Sequence, residues 1–256
     1  MAEEIAPLST LPYPQIHENS PFVVLSDWDG TITTFDSNDF LTDTIGFGKA
    51  KRRQGNLDIL AGEDTFRDGF RKMLRSIVEN GHTFDECKKL LVDRFKEFYT
   101  WCRANGIPVI IVSSGMEPLI RAVLSKLLGG EAANDIDIIA NDVVVQQDGT
   151  WEIQFRHPSS GFGHDKSQSI LPYRRLPHPP TLFFFGDGVS DISAAKHADL
   201  LFVKAKADGE NDLAAYCKRE GIKHTLFSDF SNALPVVQSV VNGSKLIAEI
   251  LQSNPN

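Results

Sequence analysis

The chain is poor in cysteine. Its 256 residues hold three, Cys87, Cys102 and Cys217, an odd number with no CxxC spacing. That argues against a disulfide framework and a structural zinc site, and it fits a reducing, cytoplasmic compartment. Positive charge is also short: 26 Lys and Arg against 34 Asp and Glu give a formal net charge of -8. Sequence-independent nucleic-acid binding rests on many basic contacts to phosphate and is not expected, and an anionic substrate would need positive charge gathered locally. No apolar run approaches the roughly 18 residues that span a bilayer, so no membrane partner is expected. The first twenty residues, with Glu3, Glu4, Pro7, Pro12 and Pro14, lack both the apolar core of a signal peptide and the arginines of a transit peptide. No GK[ST] is present, which removes a Walker-type nucleotide site.

What remains is an ordinary globular composition, 41% hydrophobic and 23% charged. FVVLS (22–26) is a short apolar run followed by punctuation and reads as a buried strand. Residues 35 to 105 show helical spacing instead. Phe66, Phe70, Met73, Leu74 and Ile77 fall on one side, with Gly81 after the end, and Cys87, Leu91, Phe95, Phe98 and Cys102 form a second stripe ended by Asn105-Gly106. Both stripes read as the core of a helical insert. Strand signals resume at IPVIIVSSG (107–115) and alternate with helices through TLFFFGDG, LLFVKA and HTLFS. The expected fold is α/β: a Rossmann-like, mostly parallel sheet core with an inserted all-helical cap. The expected division is an N-terminal arm (1–20), a core (21–34 and 106–256) and a cap (35–105).

Ligands of open parallel sheets bind at the carboxyl ends of the strands, and four such places carry unusual polar residues. Asp27-Trp28-Asp29-Gly30-Thr31 follows FVVLS, and Ser113-Ser114-Gly115 follows IPVIIV just before a helix, a natural phosphate cradle. Lys166 opens a helix in GFGHDKSQ, and Gly186-Asp187-Gly188-Val189-Ser190-Asp191 stands where TLFFF stops. Taken singly, each has a plainer reading. DxDG is often a turn, the serines cap a helix, Lys166 is a solvated lysine, and Lys51-Arg52-Arg53 is a solvated surface. The DxDG glycine is fourth rather than sixth, against a calcium loop, and GDGVSD lacks the third glycine of a dinucleotide site.

In this order and spacing, DWDGT, Ser113, Lys166 and GDGVSD resemble the four motifs of the haloacid dehalogenase-like phosphatase superfamily, over nearly the whole chain. The resemblance implies an aspartyl-phosphate mechanism with Asp27 as nucleophile and Asp29 as general acid and base. Mg²⁺ would be held by Asp27, the Asp29 backbone carbonyl and Asp187, with Asp191 as ligand or support. Lys166 and Ser113 would hold the phosphoryl oxygens, with Gly30, Thr31 and Ser114 beside them. The insert looks like the cap of the phosphoserine phosphatase branch. There an acid nine residues after the nucleophile holds the substrate's amino group, and Asp36 occupies that place. The cap arginine of that branch, seven residues after a phenylalanine, is matched here by Met73, with Arg67 and Arg71 on neighbouring turns. His164 is either a surface or turn histidine or a residue of the site mouth. SDWDGTIT and GDGVSDISAAKHADLLF look like fungal phosphoserine-phosphatase-like hydrolases, a group that includes a sugar-alcohol phosphate phosphatase, and like the methionine-salvage phosphatase. The expected partner is a small phosphorylated metabolite, polyol-like, with phosphoserine or a ketopentenyl phosphate as alternatives. A non-catalytic binding domain and a stable phosphoacceptor are the readings from other classes.

Overall fold

The computed structural model describes residues 6–33, 37–89, 95–205 and 211–253. Its apolar runs form seven strands: β1 (Phe22–Ser26), β2 (Val109–Met116), β3 (Asp137–Val145), β4 (Trp151–Gln154), β5 (Thr181–Gly186), β6 (Leu200–Lys204) and β7 (Thr225–Phe227). They make one sheet in the order β4-β3-β2-β1-β5-β6-β7, parallel throughout except for the β3–β4 hairpin. The chain builds outward from β1 to β3, then crosses back and builds outward from β5 on the other side. The order therefore reverses beside β1, and the crevice at the carboxyl ends of β1 and β5 is where such a sheet accepts a ligand.

Between β1 and β2 every described element is a helix: α1 (Ser37–Ile45), α2 (Lys49–Ala61), α3 (Phe66–Glu79), α4 (Phe84–Lys89) and α5 (Lys96–Ala104). The start of α3 is fixed locally, because the Asp68 N–H donates to the Thr65 hydroxyl at 3.1 Å and that hydroxyl donates to the Asp68 carboxylate at 3.0 Å. Gly81 ends it with φ of 83°, a conformation costly for any residue with a Cβ. Phe70, Met73, Leu74 and Ile77 bury the predicted face of α3 together with Leu41, Phe84 and Cys87. The same cluster takes in Met116, Leu119, Trp151 and Phe155 from outside the insert, and the cap core is thus shared with the body.

The second stripe resolves differently from the expectation. Cys87 lies in the cap cluster, Leu91 is outside the described residues, and Phe95, Phe98 and Cys102 join the main core with Val24, Phe185 and Phe230. Residues 95 to 104 thus pack on the sheet rather than in the cap. An apolar stripe reports that a helix face is covered; it carries no information about what covers it.

The remaining helices are α6 (Glu117–Leu128), α7 (Gly130–Asn134), α8 (Ser167–Arg174), α9 (Ile192–Ala195), α10 (Asp212–Glu220), α11 (Phe230–Val241) and α12 (Ile247–Ser253). Successive strand residues point to opposite faces. Val24, Ile111, Phe183 and Phe185 therefore meet α5, α6 and α11, whereas Val23, Leu25, Ile110 and Phe184 meet α8, α9 and α10. Burial on both faces explains why the strands read as continuous apolar runs rather than alternating ones. Phe185 stacks on Phe202 with ring centroids 4.3 Å apart and meets Phe98 edge-on, locking the strand that ends in the Asp187 loop. The N-terminal arm is docked. Thr10 N–H donates to the Arg156 carbonyl at 2.7 Å, and the Arg156 guanidinium donates to the Leu11 and Pro12 carbonyls. No helix among the described residues is long and apolar enough to cross a membrane.

Candidate active site

Asp27 is the first residue beyond β1, and its N–H donates to the Phe185 carbonyl of β5 at 2.8 Å, so it stands at the reversal itself. Lys166, wholly buried just before α8, donates from Nζ to Asp27 Oδ1 at 2.6 Å and to Asp191 Oδ1 at 2.7 Å. Asp191 Oδ2 accepts the backbone N–H groups of Asp187 and Gly188 at 2.9 and 3.1 Å, which shapes the loop after β5. Thr31 Oγ1 donates toward Asp187 Oδ1 at 3.3 Å. Gly30 has φ of 73°, and a Cβ there would collide with the Asp187 carboxylate, so the position requires glycine on both counts. Three segments far apart in sequence thereby converge on one buried cluster.

The electrostatics are those of a site built for charge. Burial and then the Asp191 charge push Asp27 well above the usual carboxylate range, while Lys166 pulls it back. Burial likewise raises Asp191. Burial also works against the Lys166 ammonium, but the Asp191 and Asp27 carboxylates outweigh it and raise its pKa. Asp27, Asp187 and Asp191 each offer an oxygen within 4.8 Å of the others. Three carboxylates share this space with the Lys166 ammonium, and an all-oxygen donor set suits a hard dication such as Mg²⁺ rather than a soft metal.

A second group, one member from the insert and the rest from β2, β3 and the segment ahead of α8, lies around Asp29 and Ser113. Asn38, near the start of α1, donates from Nδ2 to Asp29 Oδ2 at 2.6 Å. Ser113 Oγ accepts the Gly115 N–H at 2.9 Å. The Ser114 carbonyl is held by Asn141 Nδ2 at 2.8 Å, whereas the buried Ser114 hydroxyl has no hydrogen-bond partner among the described residues. His164 stands in the bend ahead of Lys166, as a turn histidine would, but it is not on the surface. It is fully buried, with Nδ1 2.7 Å from the Ser113 carbonyl, and burial holds its imidazole well below the ordinary histidine range. A neutral ring donating from Nδ1 braces the Ser113 turn. Asp36 lies outside the described residues.

Neither neighbouring arginine is placed as a substitute clamp. Arg67 is bound to Asp68 and to the Pro158 carbonyl, and Arg71 to Asp68 and the face of Phe155. Met73 is buried in the cap core. Arg52, expected on a solvated surface, is buried and ion-paired with Asp39 and Asp43 of α1. Sequence reasoning missed Asn38 and Asn141; neither sits at a strand end in the string of letters, and only the packing of α1 and β3 brings them in.

Comparison with known proteins agrees with this geometry. Residues 24–196 match the family model of haloacid dehalogenase-like hydrolases. The chain is 41% identical over 246 residues to polyol phosphate phosphatase PYP1 of Saccharomyces cerevisiae, covering 90% of this chain and 98% of the yeast protein. It is 47% identical over 217 residues to Pdp3-interacting factor 1 of Schizosaccharomyces pombe, covering 82% of this chain and 91% of that one. Among solved structures, a phospho-aspartyl intermediate analogue of phosphoserine phosphatase superposes with a TM-score of 0.54 at 17% identity, over 84% of this chain and 97% of that chain, a likeness of fold. Two thirds of the sequence thus carries the family's pattern and the whole fold accommodates it, and the chain belongs to the haloacid dehalogenase-like hydrolases.

Proposed function

We propose that this phosphatase hydrolyses the monoester of a small polyol or sugar-like metabolite with Mg²⁺ as cofactor, in the cytoplasm. The observation that carries the chemistry is Lys166 Nζ lying buried between Asp27 and Asp191 at the strand reversal. Asp27 Oδ2 attacks phosphorus, the bond to the leaving oxygen breaks, and Asp29 supplies that oxygen's proton. Asp29 then takes a proton from the water that hydrolyses the aspartyl-phosphate. Lys166 and Ser113 hold the transferring oxygens, and Gly30 lets the backbone approach them. Asp27 and Asp187, with the Asp29 carbonyl, would hold the cation, which when bound offsets the negative charge of phosphate and carboxylates together. Asp191 is best read as support, because both of its oxygens are already engaged.

The substrate reading rests on the absence of a carboxylate clamp among the described residues, with Met73 in apolar packing and Arg67 and Arg71 engaged elsewhere, and on the likeness to the yeast polyol phosphate phosphatase. The three cysteines are free and buried, in keeping with a reducing compartment. Phosphate release should be measured from polyol phosphates, sugar phosphates, phosphoserine and a ketopentenyl phosphate. The expected result is a preference for a polyol ester that a chelator abolishes and Mg²⁺ restores. Preference for phosphoserine would overturn the substrate assignment.

A further inference from the structure

The helical insert touches the candidate acid directly. Asn38 is 2% exposed, and its amide nitrogen lies 2.6 Å from Asp29 Oδ2, a direct contact between the insert and the loop after β1. Its helix is held firmly. Arg52 of α2 reaches Asp39 Oδ2 at 2.6 Å and Asp43 Oδ1 at 2.9 Å, and the Thr42 hydroxyl returns to the Asn38 carbonyl at 2.7 Å. Opposite stands Gly115, whose missing Cβ opens a small space. A Cβ built there would lie 3.1 Å from Asp29 Oδ2, 3.1 Å from Ser113 Oγ and 3.4 Å from Asn38 Nδ2. The acid oxygen, the phosphate-side hydroxyl and the cap amide therefore converge on one point.

From this geometry we infer that Asn38 is a positioning residue for general acid catalysis: its amide fixes the Asp29 carboxyl group so that one oxygen faces the leaving oxygen of the substrate. The inference rests on the phosphatase reading above. It assigns to the start of α1 a task in bond cleavage, namely aiming the group that delivers the proton as the phosphorus to oxygen bond breaks. A carboxyl group free to rotate about its side-chain bonds would spend much of its time misaimed, and small misplacements of reacting groups are costly.

Leaving-group dependence separates this role from a merely structural one. Cleavage of an alkyl ester such as glycerol 3-phosphate expels an alkoxide that needs a proton, whereas p-nitrophenyl phosphate expels a phenolate that is stable without one. kcat/KM reports the transfer of the phosphoryl group to Asp27 and not the later hydrolysis. In Asn38→Ala, and in the bulkier Asn38→Leu should the first fold poorly, kcat/KM for glycerol 3-phosphate should fall about tenfold or more relative to p-nitrophenyl phosphate. The ratio of the two values is independent of the fraction of enzyme that is folded. An unchanged ratio, with both esters slowed alike, overturns the inference while leaving the phosphatase reading intact. A wild-type protein that releases phosphate from neither ester, with Mg²⁺ present, overturns both.

Discussion

Lys166 and Asp27 are partners in one contact but pull stability in opposite directions. Removing the ammonium in Lys166→Met leaves Asp27 and Asp191 buried without their shared counter-charge, and breaking a buried pair from one side costs about 3–5 kcal/mol. Removing the carboxylate in Asp27→Asn does the reverse. Asp27 has a folded-state pKa well above the ordinary carboxylate value of 3.8, because of its burial and the Asp191 charge. The folded protein therefore binds protons more tightly there than the unfolded chain does. Stability without a cation falls as pH rises from that ordinary value through the raised one, so the charged form of Asp27 is the one the fold disfavours. In chelator at pH 7, Asp27→Asn should melt above wild type and Lys166→Met well below it, although both lose turnover, the lysine variant by about 10²–10³-fold. An Asn variant that melts below wild type would show that the cluster is not over-charged.

At the scale of elements, the arm and the loop ahead of α8 meet at one histidine, beside the contacts of Arg156 and of His17 with Asp137. His157 Nδ1 accepts the Asp165 N–H at 3.0 Å, so the ring proton sits on Nε2 and donates to the Tyr13 hydroxyl at 2.8 Å. Burial pushes His157 down to about 4, with Asp165 opposing. Its unfolded value is 6.5, so the unfolded chain binds the proton first. Stability from this contact is complete above about pH 6.5, declines as pH falls toward 4, and is gone below that. Proteolytic clipping of residues 6–16 should accelerate over that window, and in His157→Phe the pH dependence should vanish. Clipping that is independent of pH in wild type would refute the link. The same elements mark the limit of what the sequence conveys. Asp27, Ser113, Lys166 and Asp187 are legible only as a set: each alone has a plainer reading, but four such residues in that order stand where a parallel sheet places its chemistry. Asn38, His157 and Asn141 act through contacts with segments distant in the chain, and the stripe that placed Phe95 and Phe98 in the cap was right about their burial and silent about their neighbours. Local periodicity encodes which face is hidden, whereas the partner is a property of the assembled layers.

The whole molecule inherits a consequence from the shared cap core. A cap that folded on its own would close its apolar cluster with its own residues. Here Leu41, Phe70, Leu74, Ile77 and Phe84 are completed by Met116 and Leu119 at the end of β2 and the start of α6, and by Trp151 and Phe155 around β4. Trp151 also meets Phe84 edge-on at 5.2 Å and donates from Nε1 to the His82 carbonyl at 3.4 Å. Separating cap from body would expose both halves of one cluster, at about 25 cal/mol for each Å² of apolar surface returned to water. The two parts should therefore unfold together, giving one transition in urea that coincides by tryptophan fluorescence and by far-ultraviolet dichroism. Ile77→Ala, at a fully buried cap position, should lower the stability of the entire chain by about 2–5 kcal/mol rather than melt the cap alone. Two separated transitions, or an Ile77→Ala protein whose body keeps its wild-type midpoint, would mean that the cap holds itself together and that the residues from β2, α6 and β4 only rest against it.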